Sequence, residues 1–474
     1  MRILIFLICL LSLNTYAQED SIWSLEKCID YAVLNNLSVE QANLGVIQAT
    51  LAKKQAIWAQ APSLNSNFNY GFNFGRSVDP TSYSFINQIT NSSSISLNLN
   101  QPIFQGLSIR NTIKRSKVDL EASKKDVEQA KNDVALSVAQ TYLSILLAQE
   151  SKGVLVEQAK VTKIQYDQTQ KLITAGVLAD NSRYDLEAQM ARDEENIVTA
   201  QNSVDLAYVN LKVLMNFDLA KEMEIIPIAD LIVPKVLDLA SLDEIYEEAL
   251  NNQPNVAASY LRERSAELSV KIAKGALWPS VSVFGSVNTN FSSAARLFDV
   301  IPIQDTLSGF QTGTTTPVEV YDNNYSTVQG DVIPYFTQLG GNIYANIGLS
   351  LSIPIFNGFR TRIAIQQAEL GIKSAKLATV QIETTLKSNI ELSLTDVKAA
   401  EKRLEAASKT VTSTRLSVQN TRKRYDLGVV NSFELTSVQN TLIAVESNLL
   451  QAKYDYLFKL KILDYYRGNV IQIK

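Results

Sequence analysis

The chain has 474 residues, with 48 acidic and 44 basic side chains and no histidine. Its net charge of −4 is too mild to point to a nucleic-acid partner. Without histidine, a histidine triad, a histidine general base and a histidine-containing zinc site are excluded; no glycine-rich phosphate loop stands between a strand and a helix, so no enzyme activity and no cofactor are expected.

The chain opens on Met1 and Arg2, runs through an apolar stretch from Ile3 to Leu13 and reaches Thr15-Tyr16-Ala17. Charge, short apolar core and small-residue site in that order predict a signal peptide over residues 1–17. The apolar stretch is well short of the ~20 residues that span a bilayer. Cys9 leaves with it, so the exported chain keeps Cys28 alone and no intrachain disulfide. No apolar run of helix-spanning length follows, so a membrane-embedded chain has to span as a barrel.

From Ser24 to Ala59 apolar and alanine positions recur at spacings of three, four and seven, which predicts helix. Beyond Pro62 the period changes to two: Leu64, Ser66, Phe68, Tyr70, Phe72 and Phe74 alternate with Asn65, Asn67, Asn69, Gly71 and Asn73. Such alternation puts the two sets on opposite faces of a strand. After a polar gap, Ile95, Leu97 and Leu99 alternate with Ser94, Ser96, Asn98 and Asn100. Beyond Pro102 the helical period returns from about Gly106 to Thr174, roughly 100 Å of helix at 1.5 Å per residue. Its seam is Val127, Val134, Val138 and Ile145. Ala175-Gly176-Val177 then reads as a turn into a returning helix. Asn216 to Ala240, with Pro227 and Pro234, reads as an extended connector.

The order then repeats. A shift of about 217 places Ser24-Leu25 on Ser241-Leu242 and Pro62 on Pro279; further on, a shift of about 252 places Pro102-Ile103-Phe104 on Pro354-Ile355-Phe356 and Gly176-Val177 on Gly428-Val429. The second copy has about 35 extra residues between its two prolines. The layout is a first repeat at 18–215, a connector at 216–240, a second repeat at 241–466 and a tail at 467–474. Pro62, Pro102, Pro279 and Pro354 mark transitions between barrel and helix, where a chain leaving a sheet has no ladder N–H to lose. Four strands of about ten residues cannot close a barrel, and open edges in lipid leave backbone groups unpaired at several kcal/mol each. Three copies give twelve strands, an even number in the membrane-barrel range.

The doubled helix, strand, strand, helical-hairpin order, the Pro-Ile-Phe-x-Gly repeat at Pro102 to Gly106 and Pro354 to Gly358, and the two Gly-Val turns resemble the TolC-like outer-membrane factors. The resemblance implies a mainly α tandem pseudo-repeat protomer that gives four strands to a trimeric 12-stranded membrane β-barrel, plus a long α-helical barrel. The homotrimer would sit in outer-membrane lipid of a Gram-negative cell, with the helical barrel in the periplasm. A periplasmic adaptor (membrane fusion) protein and an inner-membrane pump would dock at its tip, for efflux or type I secretion.

In that family carboxylates after each turn, with a tyrosine before the second, pinch the periplasmic entrance shut. Glu434 matches one carboxylate and Tyr425 the tyrosine. Asp185 is the best match in the first copy, displaced because that copy is about three residues longer. A second acidic position falls on Ser437 and an arginine partner on Val430, departures from the family pattern of a double acidic ring and an arginine-linked lock. Glu434 and Asp185 also read as ordinary charges on a helix's first turn, where the dipole favours them. Gly176, Val177, Gly428 and Val429 are the implied adaptor-docking tips, or else plain helix caps. The alternative function is a trimeric coiled-coil surface protein, structural or adhesive; strand pairs placed between helices favour the duct.

Overall fold

The computed structural model describes residues 22–78, 83–87, 89–226, 241–302, 306–311, 318–322 and 325–468. The leader over 1–17, Pro227 and Pro234 of the connector, and the tail beyond 468 lie outside the described residues. The first half of the chain holds β1 (Ile22–Trp23), α1 (Leu25–Asn35), α2 (Leu37–Trp58), β2 (Ser63–Asn73), β3 (Arg76–Val78), β4 (Phe85–Asn87), β5 (Thr90–Gln105), α3 (Ser108–Thr174), α4 (Asn181–Met215) and β6 (Glu224–Ile225). The second holds α5 (Leu242–Asn252), α6 (Pro254–Gly275), β7 (Ser280–Ser292), β8 (Arg296–Pro302), β9 (Thr306–Gln311), β10 (Val318–Asp322), β11 (Tyr325–Val332), α7 (Tyr335–Gly341), β12 (Tyr344–Ser352), α8 (Arg360–Asp426) and α9 (Ser432–Tyr466). Helix lengths repeat between the halves: 11 residues in α1 and α5, 22 in α2 and α6, 67 in α3 and α8, 35 in α4 and α9.

The opening helical region of each half, expected as one helix, is two. In the first half Asn36 takes an extended conformation. Its side chain donates to the Leu214 carbonyl at 2.7 Å and accepts from the Ser38 amide at 2.8 Å, so it ends α1 and starts α2. In the second half Pro254 does this by sterics, pushing Gln253 out of the helical region and serving as the first residue of α6.

The chain folds as two compact units. One holds the described residues up to Ala52, Ser116–Ala266 and those from Leu370 onward. It is helical, with two apolar cores. The first core gathers Trp23, Cys28, Val134, Val138, Tyr142, Leu211 and Ile225; the second gathers Ile245, Val256, Leu386, Ile390, Val397 and Tyr456. β1 pairs in parallel with β6, Trp23 opposite Ile225. The Tyr142 hydroxyl donates to the Ile226 carbonyl at 2.9 Å, with the Trp23 carbonyl at 3.3 Å, tying this strand pair to the middle of α3. The seam residues Val127, Val134, Val138 and Ile145 are all buried.

The other unit, Lys53–Arg115 with Glu267–Glu369, is built on an antiparallel sheet in the order β12-β7-β5-β2. Its four strands carry no charged side chain. The alternation is realised: Leu64 lies opposite Leu99 and Phe68 opposite Ile95, while the Asn69 amide reaches the Ser94 hydroxyl on the other face. Pro62 and Pro279 immediately precede β2 and β7, and Pro354 lies just past β12. Pro102 differs, because it sits inside β5, where the pairing with β7 shifts by one residue between Pro102 and Phe104. A bulge leaves a backbone position unpaired, and a proline with no N–H fits there.

Beyond each strand pair the chain corners into a long helix through two successive left-handed residues: Gly106 and Leu107 (φ 56° and 65°), and Gly358 and Phe359 (φ 65° and 60°). Gly106 is also held by close approach, since a Cβ there would lie 2.0 Å from the Gly275 carbonyl oxygen. The extra stretch of the second half forms the antiparallel pairs β8–β11 and β9–β10, then α7. α7 is pinned to β7 by Gln338, which donates to the Ser292 and Ile333 carbonyls at 2.9 and 2.8 Å and accepts from the Ser292 amide at 3.0 Å.

Candidate functional site

The two long hairpins turn through the same local device. In the first, the Gly176 amide donates to Ile173 O and the Val177 amide to Leu172 O, both at 2.9 Å; in the second, the Gly428 amide donates to Tyr425 O and the Val429 amide to Arg424 O, again at 2.9 Å. Gly176 and Gly428 have φ of +71° and +70°. These crossed bonds with a left-handed glycine are a Schellman cap. Space around both glycines is open, so glycine is required by conformation and not by crowding. The turns leave Val177, Leu427, Val429 and Phe433 exposed.

Glu434 sits in the first turn of α9. Its amide is capped by the Asn431 side chain at 2.9 Å, and its carboxylate lies 3.4 Å from the Arg424 guanidinium. Val430 supplies no arginine, but Arg424, at the end of α8, does. The caps bring positions ten apart in sequence side by side, a proximity that matching motifs position by position does not reveal. The Tyr425 hydroxyl meets Thr169 Oγ1 of the first hairpin at 3.0 Å. Asp185 accepts from the Ser432 hydroxyl at 3.2 Å, so it too joins the hairpins. Glu434, Tyr425 and Asp185 therefore share one tip region but make three separate contacts. α4 and α9 have equal lengths, and the first connecting loop is one residue longer rather than the expected three. The position equivalent to Glu434 is accordingly Arg183, which pairs with Asp180 at 3.8 Å and Glu187 at 3.5 Å.

Between the tips lies a cleft of about 1070 Å³, lined from one side by Thr169, Leu172 and Val177 and from the other by Tyr425, Val429 and Glu434. Away from the tips the hairpins meet through buried polar groups. Gln189 donates to Asn440 of the second hairpin at 3.3 Å, and within the first hairpin Gln189 and Thr162 both donate to Asp193, at 2.7 and 2.6 Å. The apolar cores lie elsewhere on the same helices. A seam of hydrogen bonds can exchange its partners for water at little net cost, whereas an apolar core cannot be opened that way. Thr169, Ser432, Gln189 and Asn440 carry this seam, and none was singled out from the sequence, where polar residues on a helix read as solvated.

The chain matches the outer membrane efflux protein family over residues 28–216 and 245–468. It is 20% identical to the outer membrane efflux protein BepC of Brucella suis over 372 residues, 76% of this chain and 69% of that one. It is also 20% identical to the outer membrane protein TolC of Vibrio cholerae over 326 residues, covering 69% of this chain and 65% of TolC. The fold aligns with a crystal structure of CusC at a TM-score of 0.73 and 16% identity, over 94% of this chain and 92% of that one. The family match takes in both helical hairpins with their turns and all four strands of the sheet. The chain thus belongs to the outer membrane efflux proteins, which are outer-membrane channel proteins and not enzymes.

Proposed function

We propose that three copies of this chain form an exit duct through the outer membrane, gated at the hairpin tips and docked there by a periplasmic adaptor coupled to an inner-membrane pump. The observation that carries this reading is the uncharged four-stranded sheet. It exposes Leu64, Phe68, Phe72, Ile347 and Leu349 on one face and mostly Asn, Ser and Gly, with Phe284 and Tyr344, on the other, and no strand among the described residues pairs with the outer edges of β2 and β12. In lipid the apolar face is favoured and the free edges are not; closing three sheets into one ring satisfies both. The polar face then lines a wet lumen.

The tips support gating and docking. Glu434 is set on an exposed turn where threefold symmetry gathers three carboxylates around one axis, and the exposed Val177, Leu427 and Val429 give a partner an apolar foothold. The cargo, whether a small toxic solute or a secreted protein, is chosen by the pump. The test is reconstitution of the purified protein in planar bilayers with native mass measurement of the same sample. A trimer that conducts ions in discrete steps supports the duct; a trimer that never conducts points to a surface stalk.

A further inference from the structure

We infer that β12 of one copy pairs antiparallel with β2 of the next in one defined register, Ile347 opposite Phe72, Leu349 opposite Tyr70 and Leu351 opposite Phe68. The inference rests on the assembly proposed above and adds its seam. The two halves of the chain are equivalent not only in helix length but in strand register. Leu64 opposite Leu99 in the first hairpin becomes Val281 opposite Leu351 in the second when β2 is advanced by about 217 and β5 by about 252, and both pairings are observed.

The same chain also contains one seam between hairpins, β5 against β7, in which Ile95 faces Thr289, Leu97 faces Val287 and Leu99 faces Gly285. Carrying β5 onto β12 and β7 back onto β2 by the same two offsets produces the register stated, now between copies. Its faces agree. Ile347, Leu349 and Leu351 meet Phe72, Tyr70 and Phe68, all exposed in the single chain, while Asn346, Gly348 and Ser350 meet Asn73, Gly71 and Asn69. A slip of one residue would put asparagine against lipid. The competitor that keeps the faces is a slip of two.

The corner below the strands adds a second mark. Within the chain, Gly106 closes onto Gly275. At the seam between copies the matching positions are Gly358, which has nothing within 4 Å where its Cβ would point, and Trp58, which is 72% exposed. A tryptophan cannot repeat the glycine contact, so the corner between copies is more open than the corner within the chain, where Gly106 meets Gly275.

Cysteine pairs test the register in a chain whose two native cysteines are alanine. Directly opposed residues have Cα atoms about 4.5–5.5 Å apart, inside the disulfide range of about 4.4–6.8 Å, whereas partners two residues out of register lie about 7–8 Å apart. The matched pairs are Asn69→Cys with Ser350→Cys on the polar face, and Tyr70→Cys with Leu349→Cys on the apolar face. The slipped pairs are Asn67→Cys or Gly71→Cys with Ser350→Cys. Mild oxidation of the membrane-inserted protein should give a covalent trimer on denaturing gels for a matched pair and at least tenfold less for the slipped ones. Slipped pairs that cross-link better than matched ones, or a native trimer that no matched pair locks, would overturn the register. Matched pairs locking a ring of another size would keep the register and refute the trimer.

Discussion

Burial acts on single side chains in ways that can be measured. Packing of Cys28 in the first apolar core pushes its thiol from 9.0 up to about 12, with the Lys27 ammonium pulling slightly back. That rise removes about three orders of magnitude of thiolate, so a maleimide at about pH 8 should leave Cys28 unmodified in the folded protein and label it promptly in denaturant. The phenol of Tyr142, in the same core, is also raised, chiefly by desolvation. Both groups hold their proton longer folded than unfolded. Their contribution to stability is therefore complete below about pH 9 and falls as pH climbs beyond it. Melting temperature should decline from about pH 9 upward, and Cys28→Ala should flatten part of that decline. At the tip, Glu434 and Arg424 are both about half exposed, and an exposed pair contributes at most about 1 kcal/mol, so replacing either should leave the tip folded. If three Glu434 carboxylates line the entrance, Glu434→Gln lowers cation selectivity and Arg424→Met raises it, as read from reversal potentials in a salt gradient, with the trimer intact. Unchanged values in both variants would leave Glu434 an ordinary charge at a helix start.

Turns and corners decide the behaviour of the elements. Gly176 and Gly428 are needed for their left-handed backbone, so Gly176→Val with Gly428→Val should distort the tips at a cost of roughly 1 kcal/mol or more each. The sheet does not depend on them. Membrane insertion is expected to persist and export to fail; normal export by the double variant would argue against partner docking at the tips. The corner glycines differ from one another. Gly106 and Gly358 share a positive φ, yet only Gly106 has a carbonyl 2.0 Å from where a Cβ would go. Gly106→Ala should therefore reduce the yield of folded protein far more than Gly358→Ala, scored by the fraction resisting protease in detergent. The strands and long helices were legible because their periods of two and 3.6 run over many residues. The break at Asn36 was not, because one side chain ending one helix and starting the next leaves the surrounding helical spacing undisturbed.

For the molecule as a whole, assembly follows from unpaired edges. Each copy offers the outer sides of β2 and β12, and in an apolar medium every unpaired backbone group there costs several kcal/mol. Folding of the sheet and association should occur together, so light scattering in detergent is expected to find a trimer and no folded monomer at any dilution. A stable folded monomer would remove the basis of the barrel. The strands hold no charged residue, so ion selectivity should arise outside the sheet. The doubled order was readable because it spans most of the chain. The strand pair β1 and β6 was not, since two residues have no period and Trp23 meets Ile225 only after some two hundred intervening residues have folded.

What the sequence determined by itself is which face each strand and helix shows and that the two halves are equivalent. Alternation sorts apolar from polar side chains before any partner is known, and a repeat is a property of order alone. Tertiary structure decided the partners: Tyr425 on Thr169, Asp185 on Ser432, Arg424 on Glu434, and Pro102 at a bulge inside a strand instead of at its end. These pairings depend on one-residue differences in loop length and on caps that fold the chain back on itself. A period specifies direction around an axis and carries no information about distance along a neighbouring one.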